Sequence, residues 1–236
     1  MTLRVLDLFS GIGGFSLGLE RAGMRTVAFC EIDPWCRQHL VKHWPGVPIH
    51  EDVRTFRGVE CDLICGGYPC QPFSKAGKRR GAKDDRHLWP EFARLVRALR
   101  PAWVIAENVV GHVSMGLDEV LSDLEALGYS CGAFDIPACA IGADHERRRI
   151  WIVANADGSG LQERFLQPEV SRGARCTEDR EDSALDVAWP AEPSMVRVVH
   201  GVPGRVDRIR ALGNAVVPQI PEIIGRAILE AERGQR

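Results

Sequence analysis

A chain of 236 residues, 45% hydrophobic and 26% charged, suits one α/β domain or one such domain with a small appendage. Its formal net charge of −2 gives no general pull toward nucleic acid, and no apolar run approaches the roughly 20 residues that span a bilayer. The eight cysteines form no CxxC pair and no paired metal-ligand spacing, which argues against zinc. The N-terminus opens directly on a strand-like run without a signal-peptide layout, so a cytoplasmic protein with mostly buried, reduced thiols is expected.

The first third alternates short apolar runs with helix-like stretches. Arg4 to Phe9 predicts a strand, Ser10 to Gly14 a glycine-rich turn, and Phe15 to Ala22 a helix stopped by Gly23. A second strand is expected over Thr26 to Cys30, then Glu31 and a helix from Pro34 to His43. Asp62 to Cys65 predicts another buried strand, running into Gly66-Gly67-Tyr68-Pro69-Cys70-Gln71-Pro72. In Leu88 to Leu99 the residues Phe92, Leu95, Val96 and Leu99 fall on one helical face. Trp103 to Ala106 predicts a strand with Glu107-Asn108-Val109 just past its end, and Leu117 to Leu127 a helix closed by Gly128. Ser130 to Pro137 and Arg149 to Ala154 complete the strands. Strand–helix alternation of this kind predicts an open, mostly parallel sheet with helices on both faces.

From Asn155 to about Ser194 periodicity weakens and charges mix, which predicts a short irregular insert. Order is expected again at Val196 to Val199 and in a last helix from about Pro221 to Glu232. The expected organisation is a catalytic and cofactor-binding unit over 1–154, a reduced insert over 155–200, and a returning C-terminal segment over 201–236.

In doubly wound sheets ligands bind at the carboxyl ends of the strands, where the glycine turn, Glu31, Asp52, Cys70 and Glu107 fall. Gly11, Gly13 and Gly14 let backbone approach a ligand, although a tight turn with no ligand also suits these residues. Glu31, about twenty residues after Gly11, suits a carboxylate that accepts from ribose hydroxyls. Ser16 stands where the dinucleotide fingerprint has its third glycine, so a ligand with a ribose and no pyrophosphate is favoured over NAD. Flanking prolines hold Cys70 in one direction, and the basic residues that follow would favour its thiolate. Glu107 suits a carboxyl group that hydrogen-bonds a ring nitrogen when protonated, or else an ordinary capping Glu. Basic residues cluster at Lys75, Lys78, Arg79 and Arg80, at Arg147 to Arg149, and at Arg205, Arg208 and Arg210. Each cluster suits a phosphate-binding face or a solvated surface.

Taken together, the ordered blocks resemble the DNA (cytosine-5)-methyltransferase family, in particular its small phage- or prophage-type members. The blocks are Asp7-Leu-Phe-Ser-Gly-Ile-Gly-Gly-Phe, Glu31-Ile-Asp33, Glu51-Asp-Val, Gly67-Tyr-Pro-Cys-Gln-Pro-Phe-Ser74, Glu107-Asn-Val109, His145-Glu-Arg-Arg-Arg149 and Gly213-Asn-Ala-Val-Val-Pro218. The resemblance implies a Rossmann-like fold that binds S-adenosylmethionine without a metal. It implies Phe9 against the adenine, Glu31 on the ribose and Asp52 on the adenine amino group, with Ser10, Gly14, Ile32, Val53 and Pro69 lining the site. Gly11, Gly13 and Gly67 would shape the methionine end, and Asn214 with Ala215 would close it. Cys70 would be the nucleophile, Glu107 the group at ring nitrogen 3, and Arg149 a contact to the base carbonyl. Arg147 would position the nucleic-acid strand or the catalytic loop.

The segment from Ser74 to His87 would then close over double-stranded DNA, with Gln71, Ser74, Lys75, Lys78, Arg79 and Arg80 as contacts. Two departures stand out: His145 occupies a position that is usually Gln, and the stretch between the Arg149 and Gly213 blocks is short for a target-recognition domain. A monomer is expected, with a cognate restriction enzyme or a helper recognition subunit as candidate partner. The same chemistry on tRNA, and a non-catalytic DNA-binding derivative, are the competing expectations.

Overall fold

The computed structural model describes residues 2–69, 87–114, 116–156 and 211–234. Cys70 and the basic segment that follows it, the insert, and the Val196 to Val199 strand lie outside the described residues. The described chain runs β1 (Arg4–Leu8), α1 (Gly14–Ala22), β2 (Arg25–Cys30), α2 (Pro34–His43), β3 (Ile49–His50) and β4 (Leu63–Gly66). It continues through α3 (Trp89–Leu99), β5 (Trp103–Val109), α4 (Leu117–Ala126), β6 (Ser130–Ile136), β7 (Arg149–Asn155) and α5 (Gln219–Gly234).

These strands form one seven-stranded sheet in the order β3-β2-β1-β4-β5-β7-β6. All neighbouring pairs are parallel except those made by β7, which runs antiparallel to both β5 and β6. The strand order reverses between the parallel neighbours β1 and β4, the switch point at which sheets of this kind form a ligand crevice.

Strand alternation divides the core into two layers. Leu6, Leu8, Ile64, Val104, Ile150 and Ile152 pack with Trp89, Phe92 and Leu95 of α3 and Val120 and Leu124 of α4. On the other face, Val5, Leu63, Cys65, Ile105 and Trp151 pack with Phe15 and Leu19 of α1 and Ile220, Ile224 and Ile228 of α5. The helix after the insert thus returns to lie against the first helix of the chain. That approach is close: a Cβ on Gly18 would lie 2.2 Å from the Pro218 carbonyl oxygen.

β5 extends beyond the expected Ala106 end because β7 pairs with it as far as Val109 opposite Arg149. Glu107 therefore sits within the last turn of the ladder, with Trp151 as its Cα partner, where backbone pairing fixes its direction. β3 was not anticipated; its two residues exist only through pairing with Phe29 and Cys30. α5 begins at Gln219, a little ahead of the expected Pro221.

Candidate active site

The glycine turn after β1 is built by short local bonds. Ser10 Oγ donates to the Asp7 carbonyl at 2.7 Å, and Gly13 N–H donates to the Ser10 carbonyl at 2.8 Å. Phe9, Gly11 and Gly13 all have positive φ, at 54, 54 and 85°. The glycines divide by what surrounds them. A Cβ on Gly13 would strike the Trp44 ring at 2.5 Å, and one on Gly14 would lie 2.8 Å from Val216 Cγ2, so packing demands both. Among the described residues, nothing lies within 4 Å of a Cβ built on Gly11, so they leave its backbone open.

That space is bordered by Glu31 and Ile32. The Glu31 carboxylate is buried and accepts from Gly11 N–H at 2.7 Å and from Asp33 N–H at 2.8 Å. Each oxygen keeps a second lone pair for a hydroxyl donor. Ile32, just past the strand end, is 64% exposed. Asp33 caps α2 by accepting from Trp35 and Cys36 N–H, and Pro34 occupies the first turn, so the helix start fixes the Glu31-Ile32 corner. Asp52 closes the next turn, accepting from Arg54 N–H at 3.0 Å through Oδ1, while the neighbouring Val53 is buried and its carbonyl accepts from Arg94. A buried carboxylate with lone pairs to spare beside the Gly11 backbone can accept from the hydroxyls of a ligand.

A second cluster lies at the ends of β4, β5 and β7. Glu107 is buried, and Arg149 Nε approaches its Oε1 at 3.0 Å. Burial pushes the Glu107 carboxyl up to about 7, against the opposing pull of the Arg149 and Arg147 guanidiniums. A proton is therefore available there near neutrality. Gly67 lies directly beside it: a Cβ there would be 3.0 Å from Glu107 Oε2. Tyr68 follows, buried, with its hydroxyl 2.6 Å from His112 Nε2 and its carbonyl accepting from Asn108 Nδ2 at 3.2 Å. These bonds fix the chain just before the exposed Pro69 and the Cys70 position. Sequence reasoning missed Tyr68, Asn108 and His112; an aromatic two residues before a candidate thiol was the available signal.

The Arg147–Arg149 run is not a free basic face. Arg147 Nη2 donates to the carbonyls of Gly213 and Ala215 at 2.9 and 2.6 Å. Arg148 pairs with Asp135, and Arg149 holds Glu107 and the Arg148 carbonyl. Asn214 is exposed on the segment that Arg147 holds. Asp7, also missed, is fully buried and accepts from Ser16 Oγ at 2.7 Å, while its Oδ1 has no hydrogen-bond partner among the described residues. Burial pushes its carboxyl up to about 7 despite the Ser16 bonds.

Four of the described thiols are poor nucleophiles. Burial pushes Cys30, Cys61 and Cys131 up to about 12 and Cys65 well above the ordinary range. Among the described residues, no group of three or more His, Cys, Asp or Glu is placed to hold a metal ion, and no helix is long and apolar enough to cross a membrane.

The sheet order with its single reversed strand, and carboxylates at the ends of β2 and β5, define a Rossmann-like S-adenosylmethionine-dependent methyltransferase fold. Within that class the chain belongs to the C-5 cytosine-specific DNA methylase family, which it matches over residues 3–183. It is 34% identical over 163 residues to the type II methyltransferase M2.BsuMI of Bacillus subtilis, covering 65% of this chain and 42% of that protein. It is 45% identical over 115 residues to M.NgoMIV of Neisseria gonorrhoeae, covering 47% of this chain and 37% of that one. Among solved structures, a prophage-encoded E. coli protein described as a DNA modification methyltransferase superposes with a TM-score of 0.58 at 29% identity, over 70% of this chain and 50% of that one. The S. pombe Dnmt2 methyltransferase shares the fold with a TM-score of 0.59 at 24% identity, over 72% and 57% of the two chains. The chain thus spans less than half the length of the two curated relatives named.

Proposed function

We propose that this protein methylates carbon 5 of a flipped-out cytosine in double-stranded DNA, with S-adenosylmethionine as methyl donor. The observation that carries the reading is the buried Glu107–Arg149 pair, 3.0 Å apart, whose carboxyl titrates at about 7. Ring nitrogen 3 and the carbonyl at position 2 of cytosine are adjacent acceptors, and protonated Glu107 beside cationic Arg149 offers adjacent donors.

Carbon 5 of cytosine is too weak a nucleophile to take a methyl group unaided. Attack of the Cys70 thiolate on carbon 6 forms a carbon–sulfur bond and moves electron density to carbon 5. A proton held by Glu107 at nitrogen 3 stabilises the resulting enamine, and Arg149 at the carbonyl offsets the accumulating charge. S-adenosylmethionine, when bound, supplies an electrophilic sulfonium methyl. Once carbon 5 carries the methyl group, loss of its proton to water and return of the nitrogen 3 proton to Glu107 break the carbon–sulfur bond, expel the Cys70 thiolate and restore the ring. The base must leave the stack for carbon 6 to be reached.

Gly11, Glu31, Ile32 and Asp52 would hold the adenosine, with Phe9, Ser10 and Val53 around it; Gly67, Pro69, Asn214 and Ala215 would border the methionine end. Gln71, Ser74, Lys75, Lys78, Arg79 and Arg80 would contact DNA. Residues 1–154 and 201–236 would form the catalytic unit, and 155–200 a reduced recognition insert. A monomer in the cytoplasm of a bacterium or a phage-infected cell is the setting this chemistry suits, with a cognate restriction enzyme or a helper recognition subunit as further partner.

Incubation with methyl-labelled S-adenosylmethionine tests the reading against duplex DNA and tRNA in parallel. Label at carbon 5 of cytosine in duplex DNA supports it. Label in tRNA alone, or in neither, refutes it.

A further inference from the structure

Arg147 spends its side chain on the far end of the chain. Its Nη2 bridges the carbonyls of Gly213 and Ala215, 66 and 68 residues along the sequence. Its backbone sits at φ 30°, a left-handed conformation that side-chain-bearing residues adopt only where their surroundings enforce it. The segment it holds is gripped from the opposite side as well. Val216 lies against the bare Cα of Gly14, where a Cβ would meet its Cγ2 at 2.8 Å and its carbonyl at 2.9 Å. Gly213 to Val216 is thus fastened between the helix that follows the glycine turn and the loop that leads into β7. The same guanidinium faces Glu107 and Arg149 electrostatically, since each is a Coulombic neighbour of Arg147.

We propose that Arg147 is a positioning residue: it clamps the Gly213–Ala215 segment, and with it Asn214, over the methionine end of the cofactor site, and it makes no phosphate contact. The proposal rests on the methyltransferase reading above. It assigns Arg147 to cofactor retention and leaves Arg149 as the partner of Glu107. Both bonds come from Nη2 alone, and lysine at this position keeps the charge but lacks the guanidinium plane that directs that nitrogen at the two carbonyls.

The test is titration of S-adenosylhomocysteine into the DNA-free full-length protein, for wild type, Arg147→Lys, Asn214→Ala and the double variant. Salt dependence of duplex DNA binding is measured alongside. Arg147→Lys is expected to weaken S-adenosylhomocysteine about 10-fold or more, and to raise KM for S-adenosylmethionine while KM for DNA holds. Because Arg147 acts through Asn214, the double variant should lose little more than either single variant. Guanidinium ion added to Arg147→Ala should recover part of the affinity, which separates a lost clamp from a lost fold. The salt slope of DNA binding should be unchanged.

Cofactor affinity within twofold of wild type in Arg147→Lys, together with a salt slope reduced by about 1 in the charge-removing Arg147→Ala, would make Arg147 a phosphate contact and overturn the proposal. Fully additive losses in the double variant would also overturn it. A wild-type protein that binds no S-adenosylhomocysteine would refute the methyltransferase reading itself, and the clamp with it.

Discussion

Glu107 and Arg149 belong to neighbouring antiparallel strands, and the Arg149 Nε stands 3.0 Å from the Glu107 Oε1 at the mouth of the crevice. Burial is the larger of the two effects on this carboxyl. Burial drives the carboxyl toward its neutral form, and two guanidiniums pull it back, leaving it at about 7. A carboxyl poised there can hold a proton for a ring nitrogen and exist as a carboxylate between turnovers.

The protonated form of Glu107 is lost as pH rises through about 7. Single-turnover methylation rates are therefore expected to carry an alkaline limb near that value. Glu107→Gln keeps an N–H donor but has no proton to give, so its rate should fall about 10²-fold and lose that limb. Rates measured from pH 5.5 to 9 check both.

Arg149 lowers the proton affinity of Glu107, so its removal should move the same limb upward. Arg149→Leu is expected to shift it to higher pH while also slowing the reaction, because the base carbonyl loses its cationic partner. A pH–rate profile of this variant gives the direction of the shift.

Asp7 ties stability to pH. Its folded-state value, about 7, lies above its ordinary 3.8, so the folded protein binds a proton that the unfolded chain releases between those values. The resulting stability is fully present below about 4 and is lost as pH rises to about 7. Glu107 acts in the same direction over a similar range, from 4.5 to about 7. Asp7→Asn should flatten the decline in Tm between pH 4 and 7, and Asp7→Asn with Glu107→Gln should flatten it further; thermal melts across that range provide the check.

Gly18 is where α1 and α5 touch most closely. A methyl group there would lie 2.2 Å from the Pro218 carbonyl oxygen and 2.8 Å from the Pro221 ring, so backbone must shift. Gly18→Ala is expected to destabilise the fold by about 1–3 kcal/mol, the usual cost of overpacking. Denaturant titration would show it as a lower midpoint. Gly11→Ala, which meets no atom of the described residues within 4 Å, should cost only the strain of its φ of 54°.

Local signals carried most of the architecture. Asp33 and Pro34 mark the start of α2 so strongly that its span, Pro34–His43, follows from sequence, as does the Gly23 stop of α1. What was not legible depends on distant partners. The extension of β5 to Val109 comes from its ladder with β7, and β3 exists only beside β2. In the site, Glu31 and Glu107 were visible as carboxylates at strand ends. The use made of Arg147 was not, because its carbonyl partners lie 66 and 68 residues away. Asp7 was hidden for another reason: strand alternation places it on the α1 face, but only the fold shows Ser16 as its partner and leaves Oδ1 without one among the described residues.

Cys70 is central to the chemical reading, and its reactivity can be captured directly. Duplex DNA carrying 5-fluorocytosine blocks the final step, since fluorine cannot leave as the carbon 5 proton does. With S-adenosylmethionine present, the wild-type protein should form a denaturation-resistant complex with this DNA, and peptide mapping should place the linkage on Cys70. Cys70→Ala should form none. An equally stable complex with Cys70→Ala, or linkage at another residue, would contradict the account.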